Sequence, residues 1–128
     1  MKDLFFVFVG GGVGSSLRFL LSLWWKAASQ RPVFAGVIFP WPTLAANLLG
    51  CFLIGAFYCL SDRWGLSAST RLLLTTGLCG GLTTFSTFSY ESITLMRGGH
   101  AGLCALYVLV SLAFGFLCAF LPHLLFSK

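Results

Sequence analysis

The sequence predicts an all-α membrane protein of four transmembrane helices, the third of them broken, and three observations carry that prediction. Hydrophobic residues make up 58% of the chain and charged residues only 9%, where a soluble domain carries about 25% charge. The apolar residues gather into long uncharged runs. The chain has 128 residues, which at roughly 20 per crossing leaves room for four spans and short loops and none for a separate soluble domain. Residues 1–128 are therefore read as one domain. Finally, the third run is interrupted by Gly80-Gly81-Leu82-Thr83-Thr84-Phe85-Ser86-Thr87-Phe88, where two glycines and four hydroxyls stand in sequence otherwise apolar enough to span a bilayer. In hydrocarbon every backbone N–H and C=O must be paired, so a loosened backbone at that depth is buried in protein or lines a polar cavity. Broken helices at the midplane are where membrane proteins place ion sites.

The first helix is expected over residues 4–25, with Arg18 about two-thirds along it. A signal peptide fits this start less well, because Arg18 interrupts the apolar run and no small-residue cleavage site follows. Arg18 either snorkels to an interface or lines an aqueous vestibule. A loop holding Lys26, Arg31, Pro32, Pro40 and Pro42 leads to the second helix, expected over residues 43–60. There Thr43 and Asn47 lie one turn apart on one face. A buried Asn needs several partners, which an interhelical bond or a ligand would supply equally. The third helix is expected over residues 71–96, with the break at the glycines and Glu91 a turn or less beyond Phe88. The fourth is expected over residues 101–121 and to stop at Pro122. Within it Tyr107 and Ser111, at i and i+4, form a hydroxyl stripe. Trp24, Trp25, Trp41 and Trp64 fall near helix ends, where indoles favour the membrane interface. Small residues four apart (Gly11/Ser15, Ala46/Gly50, Gly77/Gly81, Ser111/Gly115/Ala119) point to closely approaching helices without specifying a partner.

Other chemistries find little support. The five cysteines, Cys51, Cys59, Cys79, Cys104 and Cys118, fall within spans at no metal-ligand spacing and read as small packing residues. His100 and His123 sit at helix ends and read as interfacial. Glu91 is the one carboxylate within a span and has no partner acid for acid–base catalysis, and there is no phosphate-binding glycine loop. The net charge of +5 is scattered singly, unlike a nucleic-acid patch. With four spans, one side of the membrane receives Lys2, Arg63, Arg71 and Lys128, and the other Lys26, Arg31 and Arg97, four charges against three. The positive-inside rule needs an excess to fix orientation. Insertion both ways round is therefore open to this chain, and with both orientations together an antiparallel dual-topology homodimer becomes possible. Such a dimer is the two-chain equivalent of an inverted repeat.

With these residues assembled, the chain resembles the Fluc/CrcB family of small dual-topology fluoride channels. The resemblance runs over nearly the whole length. It is carried by Gly11-Gly12 to Arg18, by Thr43-Leu44-Ala45-Ala46-Asn47-Leu48-Leu49-Gly50, by the stretch from Gly77 to Glu91, and by Tyr107 with Ser111. The block from Gly80 to Glu91 is highly specific to that family. The resemblance implies an antiparallel homodimer in the cell inner membrane, with two pores and a structural sodium ion at the dimer centre held by backbone carbonyls of Gly80 and Thr83 from both subunits. It implies Phe85 and Phe88 as pore-facing rings, Asn47, Ser111 and Tyr107 as polar pore-liners, Thr43 and Glu91 near a pore mouth, and Arg18 toward a vestibule. Two departures stand out: Gly115 and Ala119 occupy positions where family members often continue the hydroxyl stripe, and Pro42 replaces the glycine usual before the Thr-Leu element.

These residue types suit a small, strongly hydrated anion. A pore must replace its water with several modest donors, because conduction requires sites weak enough to leave. Hydroxyls and an amide supply donors, and phenylalanine edges carry the positive part of the ring quadrupole, although i, i+3 aromatics taken by themselves read first as plain packing and only the resemblance favours the pore. A proton-coupled small multidrug transporter shares the architecture but needs a glutamate in the first helix, which here holds Arg18 and no acid beyond Asp3. A non-conducting assembly protein would not need a hydroxyl-rich break.

Overall fold

The computed structural model describes residues 1–28 and 39–127, all of whose regular structure is helical. Arg31 and Pro32 of the first loop, and Lys128, lie outside the described residues. Among the described residues three helices are long and apolar enough to cross a membrane: α1 (Lys2–Ala28), α2 (Trp41–Trp64) and α6 (Ala101–Phe126). Between α2 and α6 the chain forms a bent composite. It consists of α3 (Ala68–Leu72), a π-helical segment (Leu73–Cys79), the short α4 (Gly80–Leu82) and α5 (Phe85–Arg97).

Local chemistry explains the ends. Gly65 closes α2 in the left-handed conformation, φ 61° and ψ 47°, with its N–H on the Ser61 carbonyl, a conformation glycine adopts without a Cβ penalty. Ser67 then caps α3, its hydroxyl accepting from the Thr70 N–H at 3.2 Å. Thr84 caps α5 in the same way, accepting from Thr87 N–H at 3.3 Å. α1 and α2 run a few residues beyond their apolar runs at both ends, since charged and aromatic residues such as Lys26 and Trp64 continue a helix out of the hydrocarbon.

Two expectations are corrected. The break does not lie at the glycines: Gly80 is helical, φ −63° and ψ −36°, and the chain becomes extended only at Thr83 (φ −82°, ψ 155°) and Thr84 (φ −151°, ψ 118°). The fourth span does not stop at Pro122, which lies inside α6. A proline there costs one backbone bond, but its ring is fully buried against Gly55, whose missing Cβ would stand 3.3 Å from the Pro122 Cγ and collide with the Ala119 carbonyl.

The helices meet along two kinds of seam. Along α1, added Cβ atoms on Gly10 and Gly14 would collide with the carbonyl oxygens of Leu73 and Leu78, and one on Gly81 with the Gly11 carbonyl. The Gly11/Ser15 and Gly77/Gly81 pairs therefore pack backbone to backbone on each other, the close approach that small residues permit where lipid competes for apolar side chains. The side-chain core lies elsewhere. It joins Phe39, Leu44, Leu95, Cys104 and Tyr107, with Leu48 and Phe88 packed against it. Trp25 stacks on Trp41 at 6.2 Å and 29° between ring planes, near Phe39, and marks that end of the bundle.

Candidate functional site

At Thr83 and Thr84 the helical ladder lapses, and side chains from two other helices take over its bonds. Asn47 on α2 accepts from the Thr84 N–H at 2.8 Å and donates to the Thr84 carbonyl at 3.3 Å. Thr83 turns back on the preceding turn, its hydroxyl donating to the Cys79 carbonyl at 2.8 Å. Arg18 on α1 donates from Nε to the Gly81 carbonyl at 3.2 Å, placing a cation at the C-terminal end of α4, where the peptide dipoles favour one. Arg18 thus neither hangs free at an interface nor stands apart from the break; it is bonded to it.

This rerouting leaves several carbonyls without a helical partner, those of Gly80 and Thr83 among them. The Gly80 carbonyl would ordinarily accept from Thr84 N–H, which is given to Asn47. The Thr83 carbonyl would accept from Thr87 N–H, which is given to the Thr84 hydroxyl. Both are the hard oxygen ligands that a cation such as sodium takes.

Beside the break lies a cleft of about 570 Å³, walled by α2, the π segment, the break and α6. Asn47, Gly80, Thr83, Phe85, Phe88 and Ser111 all line it, so the structure gathers six of the residues singled out in the sequence. None of the lining residues carries a charge. Phe85 is 80% exposed and lies 6.0 Å from Phe88 by ring centroids. Phe88 in turn packs 5.0 Å from Tyr107. The Ser111 hydroxyl is buried and makes no hydrogen bond among the described residues, an unspent donor beside the cleft.

Thr43, Glu91 and Tyr107 form a separate group next to the cleft. Thr43 donates to one carboxylate oxygen of Glu91 at 2.7 Å and Tyr107 to the other at 2.8 Å. Tyr107 is completely buried, so its phenol faces Glu91 and Phe88, with its ring against Phe39 at 5.5 Å in an edge-to-face arrangement. The i, i+4 relation of Tyr107 and Ser111 therefore does not give one continuous stripe: the first serves Glu91 and the second the cleft.

Several cleft residues carry no mark of the cleft in the sequence. Cys51, Ile54 and Tyr58 continue the Asn47 face of α2, and Thr75, Thr76 and Thr84 supply further hydroxyls. The spacing 47, 51, 54, 58 is a one-face helical pattern and was the available signal. Thr84 hid among four neighbouring hydroxyls, which only the backbone geometry separates.

The family described as "CrcB-like protein, Camphor Resistance (CrcB)" matches residues 5–123. A protein of Chlorobaculum tepidum named fluoride-specific ion channel FluC is 48% identical over 126 residues, spanning 98% of this chain and 94% of the relative. Proteins of the same name from Bacteroides fragilis and Aquifex aeolicus are each 44% identical, over 91% and 98% of this chain and 90% and 97% of their own lengths.

Proposed function

The chain belongs to the CrcB-like family, and from that premise we propose that it is a fluoride-specific ion channel. It lets fluoride leave the cell passively across the inner membrane and so lowers cytoplasmic fluoride; it is a channel and not an enzyme. The observation that carries this reading is the uncharged cleft at the helix break, lined by Asn47, Thr83, Thr84, Phe85, Phe88 and Ser111. Its donors are an amide and hydroxyls, each too weak alone to trap an anion, as conduction demands. The Asn47 amide spends one N–H on Thr84 and retains another. Ser111 is unspent. Phe85 and Phe88 offer ring edges. Tyr107 takes part through Glu91 and through its contact with Phe88, while Thr43 and Glu91 stand at one end of the path and Arg18 behind the break on the α1 side.

The working unit is an antiparallel homodimer. An Asn, several hydroxyls and unpaired carbonyls facing acyl chains would be costly, so a second copy covers the cleft, and the four-to-three split of basic residues permits the two copies to insert oppositely. The carbonyls of Gly80 and Thr83 from both subunits would hold a structural sodium ion. Its charge, once bound, raises the local potential for an anion; the chain's own part is to free those oxygens through Asn47 and Thr84.

Proteoliposomes loaded with fluoride test the reading: rapid fluoride efflux with no comparable chloride efflux is expected, and equal passage of both ions would sink it. Phe85→Ile and Phe88→Ile keep bulk but remove the ring edge, so at least one should form an intact dimer with strongly reduced fluoride flux. Appending three lysines after Lys128 should lock one orientation and abolish flux unless an oppositely locked partner is present. Replacing all sodium by a bulky organic cation should reduce flux.

A further inference from the structure

The α2 wall of the cleft runs from Asn47 through Cys51 and Ile54 to Tyr58, about 16 Å at the α-helical rise. The residues that line it carry no charge of their own, so charged groups at its ends add to whatever draws an ion in from bulk water. Its two ends differ. Beyond Asn47 stands the Thr43–Glu91–Tyr107 group, with an acid at its centre. At the Tyr58 end stands a base: the Arg71 guanidinium lies over the Tyr58 ring, its Cζ 5.0 Å from the centroid.

Several features keep that charge available. Arg71 and Tyr58 are both exposed, and Arg71 makes no ion pair with a carboxylate among the described residues. Asp62, one turn past Tyr58, is exposed with Arg63 beside it. On the neighbouring helix Asp3 accepts from the Ser69 hydroxyl at 2.7 Å, and Lys2 lies over Phe6 at 6.0 Å. The backbone beneath Arg71 is tied down, since the Thr75 hydroxyl donates to the Arg71 carbonyl at 2.8 Å, and Thr75 and Thr76 continue from it into the cleft wall. A guanidinium stacked on a tyrosine face is held by cation–π attraction while its edge stays in water.

We propose that Arg71 is the anion-recruiting residue at the Tyr58 mouth of the cleft, with Tyr58 as the positioning residue that fixes the guanidinium there. The proposal rests on the reading of the cleft as a fluoride path. A unit charge about 7 Å from an ion in water changes its local concentration by about three-fold. The effect disappears as the screening length falls from roughly 10 Å at 0.1 M salt to 3 Å at 1 M.

Fluoride efflux from proteoliposomes at fixed fluoride and sodium, with inert salt added equally on both sides, separates this role from a structural one. At low ionic strength Arg71→Gln should reduce efflux about three-fold and Arg71→Glu by more, roughly seven-fold. Arg71→Lys should stay near the parent. Tyr58→Leu should lower efflux because the charge is kept but not held, and the part of its deficit that is due to the guanidinium should vanish at about 1 M salt, where the three Arg71 variants should converge on the parent. Rates that do not follow the sign of the charge, or a deficit equal at both salt concentrations, would overturn the proposal. A parent protein that passes no fluoride would instead remove the reading on which it rests.

Discussion

Along α1, Gly10 and Gly14 lie against the carbonyls of Leu73 and Leu78, whereas at the start of α6 Phe39, Leu44, Leu95, Cys104 and Tyr107 meet through their side chains. The first region is a backbone seam with almost no side-chain volume. The second is a packed cluster with a hydrogen-bonded acid, Glu91, at its edge. In water the second would dominate, since apolar burial drives association there. In a bilayer lipid is as apolar as leucine, so close backbone contact and polar bonds matter relatively more. The helix break is suspended between the two regions: Arg18 ties it to the seam and Asn47 to the helix that enters the cluster.

The largest expected effect comes from the seam. Gly81→Val or Gly14→Leu drives carbon into a backbone oxygen that no rotamer change relieves. A loss above about 3 kcal/mol is expected, read as absence of assembled protein by size-exclusion chromatography in detergent. Next is Asn47→Ala, which leaves the Thr84 N–H and C=O unserved and should cost about 1–3 kcal/mol, measured by denaturant titration of the reconstituted protein. Within the cluster, Tyr107→Phe removes one bond to Glu91 and leaves the ring packing in place. A cost of about 0.6–1.7 kcal/mol is expected, and a Glu91→Gln, Tyr107→Phe double-mutant cycle would show coupling between them. The smallest effect has the opposite sign. Gly80→Ala places its Cβ where nothing of this chain lies within 4 Å, in a helical conformation, and should raise the stability of the single chain by up to about 1 kcal/mol. If Gly80→Ala proved as disruptive to the chain's folding as Gly81→Val, the distinction drawn between the two adjacent glycines would be wrong.

That distinction also marks where sequence reasoning ran short. Length, hydropathy and the interrupted third run made the four-segment helical architecture legible, and Asn47, Phe85, Phe88 and Ser111 were picked out before the cleft that unites them was seen. Two neighbouring glycines, however, read as the weak point of a helix, because glycine has low helix propensity. Here they are helical, and the threonines that follow carry the extended backbone, stabilised by Asn47 from another helix. Propensity describes a residue in its own helix; it holds no record of Gly11 requiring space beside Gly81. Pro122 was misread for the same reason. Its backbone cost is visible in sequence, and the compensating fit against Gly55 belongs to the pairing of α2 with α6. The split of Tyr107 from Ser111 likewise depends on Glu91, sixteen residues before Tyr107 in the chain.

The π segment, Leu73–Cys79, has one further consequence. Its i→i+5 bonding accommodates more residues per turn than an α-helix does, so it sets the rotational phase of everything after it. A residue removed or added there with the i→i+5 bonding kept turns the downstream chain by somewhat less than the roughly 100° per residue of an α-helix. Deleting one residue between positions 73 and 79 would leave hydropathy and the threonine-rich block intact. With the π bonding kept, Thr83 and Thr84 would be swung away from Asn47, and Gly81 away from Gly11; closing the segment into an ordinary α-helix would bring them back. The segment therefore acts as a phase setting, in which length and bonding pattern together decide which faces meet the cleft.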